Sequence, residues 1–248
     1  MSRIGRSFPV PQTFPRSIFF HRGTLFYLPS TGAAAVSPAF SAGWEDVSIA
    51  TRLKTDIVKI ASAMTTVSFA DVSVADNDVL FRQWVSDPLI AQTVIVQTIQ
   101  IQARVSETLT TNNMFLAWSV KAVSNDGGTL RGTLVTLQRD GTEADTALTN
   151  RGDSAASTSV DVQDGDRLVF EVGLGGAPVA VHDSALRIGD ADATNLPSDD
   201  VATSDLNPWI QFQQVLIFQT LVSGQPTMRR WGHVQHMGTT VPLFAGIR

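Results

Sequence analysis

From about residue 24 to residue 212 the chain repeats one pattern: short runs in which apolar and polar residues alternate, separated by turn residues. The clearest run is Asp164–Gly173, where an Asp-Gly turn leads into Leu168, Phe170 and Val172 alternating with Val169 and Glu171. A period of two after a tight turn predicts a half-buried antiparallel strand. Ile99, Ile101, Ala103 and Val105 alternate with Gln100, Gln102 and Arg104, inside 90–105, the longest candidate strand. Met114, Leu116, Trp118, Val120 and Ala122 line one face of the next, and Asn125–Gly128 supplies a hairpin turn into a partner at 130–137. Further strands are predicted at 24–28, 77–86 (Val79, Phe81 and Val85 on one face), 185–189 and 209–212. Residues 48–70 fit a helical period in part, but their β-branched content favours strands. Residues 139–159 read as a polar loop with room for one short element around Leu148, and Gly173–Pro178 reads as a strand break crossing the top of the fold.

Eight to ten such strands without βαβ alternation predict an all-β fold, a single antiparallel β-sandwich, jelly-roll-like, with extended N- and C-terminal arms. The division expected is 1–22 as an N-terminal docking arm, 23–212 as the sandwich, and 213–248 as a last strand and C-terminal docking arm. Only 17% of residues are charged and none is cysteine, so burial, hydrogen bonding or assembly must stabilise the fold without disulfides. No stretch reaches the roughly 18–20 apolar residues of a membrane span, and no leader-like apolar segment follows Met1. No membrane partner is therefore expected.

Charge is unevenly placed. Residues 1–22 and 224–248 hold seven arginines and no acid, so the remainder carries 11 basic residues against 23 acidic ones, a net of −12. The prolines at 9, 11 and 15 forbid a helix in the first segment, yet its aromatic content is too high for a free tail. Arg3, Arg6, Phe8, Phe14, Arg16, Phe19 and Phe20 are candidate docking residues, as are Arg229, Arg230, Trp231, Phe244 and Arg248 at the other end. They would dock on their own domain or, preferably, on acidic protein surfaces including other copies of the chain. The acidic body disfavours direct nucleic-acid binding.

Chemistry-bearing patterns are sparse. There is no nucleophile elbow, zinc-protease helix motif or phosphate-binding loop, and most acids stand at turns, so an enzyme is not expected and no cofactor is implied. His233 and His236 lack further metal ligands nearby; Asp190 and Asp192 are weak candidates for Ca²⁺ in an acidic loop that fits no known ligand template. Arg151–Asp153 spells a tripeptide that integrins read, without other support. Trp84, opposite Phe81 and Val85 by alternation, is the candidate for an exposed, glycan-stacking tryptophan.

Several stretches together resemble β-sandwich structural proteins of tailed bacteriophages, tail-associated or of the head-decoration type. They include Phe26–Ser30, Ser37–Phe40 with Gly43–Asp46, Asp78–Gln83, Val123–Gly127 with Arg131–Leu134, Leu148–Asn150, Asp164–Val169 and Asp205–Ile210. The resemblance spans about residues 26–212 and implies a virion component without an assigned catalytic residue. The expected partners are then other copies of the chain and other virion structural proteins. A carbohydrate-binding sandwich that contacts a host surface is the alternative.

Overall fold

The computed structural model describes residues 23–47, 52–59, 61–71, 75–177, 182–191, 194–198 and 206–219. The expected N-terminal arm, 1–22, and residues 220–248 of the expected C-terminal segment 213–248 lie outside these residues, as do Asp192, His233 and His236.

Fourteen strands are found among the described residues: β1 (Leu25–Tyr27), β2 (Asp46–Val47), β3 (Leu53–Lys54), β4 (Thr65–Asp71), β5 (Asn77–Val85), β6 (Gln92–Val94) and β7 (Thr98–Glu107), then β8 (Met114–Val123), β9 (Leu130–Glu143), β10 (Thr149–Ala156), β11 (Val160–Val162), β12 (Arg167–Gly176), β13 (His182–Ile188) and β14 (Trp209–Phe212). The fold is an all-β sandwich. In one six-stranded sheet β7 is central, with β10 along one edge and both β13 and β14 along the other; β4 and β1 complete it. In the facing sheet the order is β5-β12-β8-β9, with β2 and β3 on the free edge of β5. β4 neighbours β13, β5 neighbours β12, β7 neighbours β10 and β8 neighbours β9, so strands far apart in the chain lie side by side. β6 and β11 form a separate two-stranded ribbon.

The core lies between the two sheets and takes the alternating residues of each long strand. Ile99, Ile101, Ala103 and Val105 of β7, Met114, Leu116, Trp118, Val120 and Ala122 of β8, and Leu168, Phe170 and Val172 of β12 are all fully buried. An aromatic cluster pins the layers: Phe26 lies 4.7 Å from Phe170 and 5.5 Å from Phe212 between ring centroids, and Phe218 joins it at 5.9 Å. The predicted turns form as their glycines require, with Gly127 at φ 78° and Gly165 at φ 91°.

The structure corrects several sequence expectations. Residues 139–159 are not a loop: β9 runs to Glu143, and β10 pairs with β7 over eight registers from Thr149↔Val105 to Ala156↔Thr98. Its residues do not alternate cleanly because polar partners satisfy its buried side chains, as described below. Nor does Gly173 break a strand. β12 continues to Gly176; neighbouring backbone leaves no room for a side chain at Gly173 and Gly176, and the Asp78 and Arg139 side chains leave none at Gly175. The candidate strand 90–105 is divided between β6 and β7, which belong to different sheets. Residues 48–70 contain β3 and β4 and no helix among those described. The sheets are not wholly antiparallel, since β2 and β3 both pair parallel with β5. Beyond Phe212 the chain stays on the body as far as Gln219, which donates from its backbone to the Pro88 carbonyl at 2.8 Å.

Candidate functional site

β12 is central in its sheet, so the face turned away from the core also needs cover. The chain supplies it with residues 38–44, which fold over that face and enclose Glu171, 0% exposed. The cross-strand neighbours of Glu171 are Gln83 on β5 and Ser119 on β8, and both donate to its carboxylate, at 2.9 and 2.8 Å. Trp44 Nε1 donates at 2.9 Å, the Ser41 backbone N–H at 3.1 Å, and Lys121 Nζ at 2.8 Å. Lys121 spends its other two donors on the Ala39 carbonyl at 2.7 Å and Ser41 Oγ at 3.1 Å. Burial alone would raise the Glu171 pKa, but the Lys121 charge and the converging donors hold it below the ordinary carboxylate range.

Above this network lies a cleft of about 390 Å³ whose lining includes Phe40, Ser41, Lys121, Leu130 and Thr133. Arg52 anchors the outside of the covering segment: Nε donates to the Pro38 carbonyl at 3.1 Å and to Gln83 Oε1 at 2.8 Å, and the guanidinium sits 4.5 Å over the Phe40 ring. Lys121, which lines the cleft, and Glu171, buried beneath it, face each other with their hydrogen-bonding capacity already used. Their chemistry here is to fix the 38–44 segment on the sheet.

A second buried polar group lies along β9 and β10. Arg151 donates from Nε and Nη2 to Asp140 Oδ2, each at 3.2 Å, and Asp140 Oδ1 accepts the Leu116 backbone N–H at 3.0 Å. Burial pushes Asp140 up to about 7 against the pull of Arg151. Asp153 accepts from Trp118 Nε1 at 2.7 Å and Gln138 Nε2 at 2.6 Å. The Arg151–Asp153 tripeptide thus sits within β10 with both charged side chains engaged internally.

Trp84 is also corrected. It is 0% exposed and its Nε1 donates to the Pro29 carbonyl at 2.9 Å, so it offers no stacking face to a glycan. The cause is a bulge: Leu80 pairs with Gly173 and Arg82 with Val172, leaving Phe81 as the extra residue. One extra residue inverts the alternation beyond it, so Phe81 and Trp84 both enter the core and Gln83 turns outward to Glu171. Asp190 is buried with Oδ2 lacking a hydrogen-bond partner, but among the described residues no three His, Cys, Asp or Glu side chains come together to hold a metal. The twelve arm residues lie outside the described residues. Glu171, Lys121, Ser119 and Gln83 were not singled out by sequence reasoning; a Lys and a Glu placed inside otherwise apolar strands were the available signal.

No family model matches the chain, and no curated protein matches it. Solved structures similar to it include a CocE/NonD family hydrolase from Staphylococcus aureus (TM-score 0.44, 9% identity, 78% of this chain and 36% of that one) and an α-amino acid ester hydrolase (TM-score 0.39, 11% identity, 79% and 36%). Infectious bursal disease virus, Gx strain, is another (TM-score 0.27, 12% identity, 60% and 39%). The chain spans a little over a third of the length of these structures. These likenesses correct the expected role. They are to hydrolases and, at a lower TM-score, to an infectious bursal disease virus structure, and the ones named are not tailed-phage proteins. The role as a tailed-phage tail or head-decoration component, and its carbohydrate-binding alternative, are set aside.

Proposed function

We propose that this chain is a non-catalytic β-sandwich module that works by associating with further copies of itself, through an apolar strip on its surface. The observation that carries the reading is the strip. Residues 213–219 run alongside 88–97: the Ile90 N–H donates to the Ile217 carbonyl at 3.1 Å, Ile217 N–H to Gln92 Oε1 at 3.2 Å, and Ile95 N–H to Gln214 Oε1 at 3.0 Å. Leu216 and Phe218 turn into the core from this segment, which leaves Val215 and Ile217 facing out. With Ile95 and Val96 they present four β-branched side chains that are 49–66% exposed on two adjoining segments. Scattered apolar residues on a surface are ordinary, whereas neighbouring ones mark contact sites.

Charge favours a second copy as the partner. Thr24 N–H donates to the Gln214 carbonyl at 3.0 Å, and Thr24 Oγ1 accepts from Leu216 N–H at 2.7 Å, so both ends of the described body meet at the strip. The sequence continuing from those two points holds seven arginines and no acid, while the body carries a net −12. Opposite charge in the two parts of one sequence favours association between copies. Sedimentation velocity on the full chain should show an oligomer that Val96→Asp with Ile217→Asp converts to monomer while the circular-dichroism spectrum is unchanged. A monomeric wild type at micromolar concentration, or an oligomer indifferent to the two aspartates, overturns the reading.

A further inference from the structure

At one end of the sandwich two buried acids serve a task that backbone carbonyls perform elsewhere. Phe115 pairs with Glu143 and Ala117 with Arg139, so three residues of β9 are looped out opposite Leu116 and the regular ladder is interrupted. Carboxylates fill the gap. Glu107 Oε2 accepts the Met114 N–H at 3.0 Å, just as Asp140 accepts that of Leu116. Glu107 continues the inward row of Ile101, Ala103 and Val105 on β7, so it closes the core at its end and is only 2% exposed.

Glu107 Oε1 and Glu143 Oε1 are both buried and neither has a hydrogen-bond partner, and the Glu143 carboxyl acts on Glu107 to favour its protonated form. Two carboxyl groups can hydrogen-bond to each other only with a proton between them. The surroundings do not replace that proton with a cation. Asp145 adds a further negative charge from the end of β9, and its carbonyl accepts the Glu107 N–H at 2.9 Å. On β13 the residue opposite Glu107 is Ser184, followed outward by the exposed Asp183; the arginines of that ladder, Arg104 and Arg187, pair three positions further along. β10 ends at Thr149, opposite Val105. Among the described residues no ion pair is formed by Glu107 or Glu143.

We propose that Glu107 and Glu143 form a proton-sharing latch: with one proton between them they hold the end of β9 against β7 and the start of β8, and when it leaves they part and free the 108–113 turn. Burial, then the neighbouring acids, push Glu107 up from its ordinary 4.5 to about 7, against the stabilising Met114 N–H. A carboxyl whose pKa is raised on folding contributes stability that is complete in acid and is lost as pH rises through about 7, so the latch is closed below neutrality and open above it. Asn112, fully buried within the turn with neither amide atom partnered, is positioned to gain hydrogen bonds to water once the turn opens.

The test is amide hydrogen exchange by NMR on the full chain at about pH 5.5 and about pH 8, corrected for intrinsic rates. Met114 N–H reports on the Glu107 contact, and Ala144 N–H, which donates to the Met114 carbonyl at 2.7 Å, reports on the end of β9. Protection at both should fall by on the order of tenfold or more at the higher pH, since the part of the raised Glu107 pKa that lies above pH 5.5 is worth about tenfold per unit. Glu107→Gln should remove that pH dependence while leaving any change at Leu116, which reads Asp140. Glu143→Gln, at a partly exposed position, repeats the test without altering the core. Equal protection at both pH values, or a pH dependence that survives both variants, overturns the latch.

Discussion

Replacing Glu171 by alanine is expected to cost about 3–5 kcal/mol of folding stability, because it removes one member of a buried ion pair and leaves the other without compensation. Lys121, its side chain 7% exposed, would keep two neutral acceptors and lose its counter-charge. Trp44 Nε1, Gln83 Nε2 and Ser119 Oγ would lose their acceptor in a site closed by residues 38–44. Urea denaturation followed by tryptophan fluorescence measures the loss. Converting both partners, with Glu171→Leu and Lys121→Met, should recover much of it, since an apolar pair of similar volume does not leave a charge stranded. A single variant within about 1 kcal/mol of wild type would mean that the network is as weak as an exposed surface pair. The same geometry sets a pH direction. Glu171 is held below its unfolded pKa, so its contribution is present near neutrality and is lost as the solution is acidified through the carboxylate range. That is the opposite sense to Glu107, and the two should give a stability maximum on the acid side of neutral.

What could be read from the sequence was the part governed by local rules. The inward rows on β7, β8 and β12 follow from alternation, and the turns at Gly127 and Gly165 follow from residues that accept positive φ. The failures share a cause: contacts between distant segments override local patterns. β10 looked like a loop because Asn150, Arg151 and Asp153 are polar, yet Asp140, Trp118 and Gln138 satisfy two of these charges from other strands. Trp84 was assigned to the wrong face because the bulge at Phe81 depends on Gly173, some ninety positions away. Glu171 seemed an ordinary solvent-facing residue of an alternating strand; that residues 38–44 cover it is written nowhere near residue 171. The two ends, expected to carry the function, lie outside the described residues, but their attachment points could be located beside the strip at Val215 and Ile217.

Gly173→Ala should be the second most damaging change, although it adds one methyl group to a strand. A Cβ at this position would lie 1.9 Å from the Val79 carbonyl oxygen and 2.9 Å from its carbon, both of them backbone atoms. No side-chain rotation relieves such a clash, so β5 or β12 must shift by an ångström or more. β12 is paired on both edges, to β5 and β8, and a shift that relieves one ladder strains the other. The bulge that turns Trp84 inward and Gln83 outward sits at this same register, so core packing and the Glu171 network are disturbed together. A loss of at least about 3 kcal/mol is expected, the upper end of overpacking in a rigid core. Gly141→Ala is the control: a Cβ there meets nothing within 4 Å, and a strand position generally gains when glycine is replaced. Thermal melts should place Gly141→Ala within a few degrees of wild type and Gly173→Ala far below it, with the near-ultraviolet signal of Trp84 weakened before unfolding. Comparable melts for the two variants would show that β5 and β12 can separate freely at the bulge, and that Gly173 is not what fixes the inverted phase of Phe81 and Trp84.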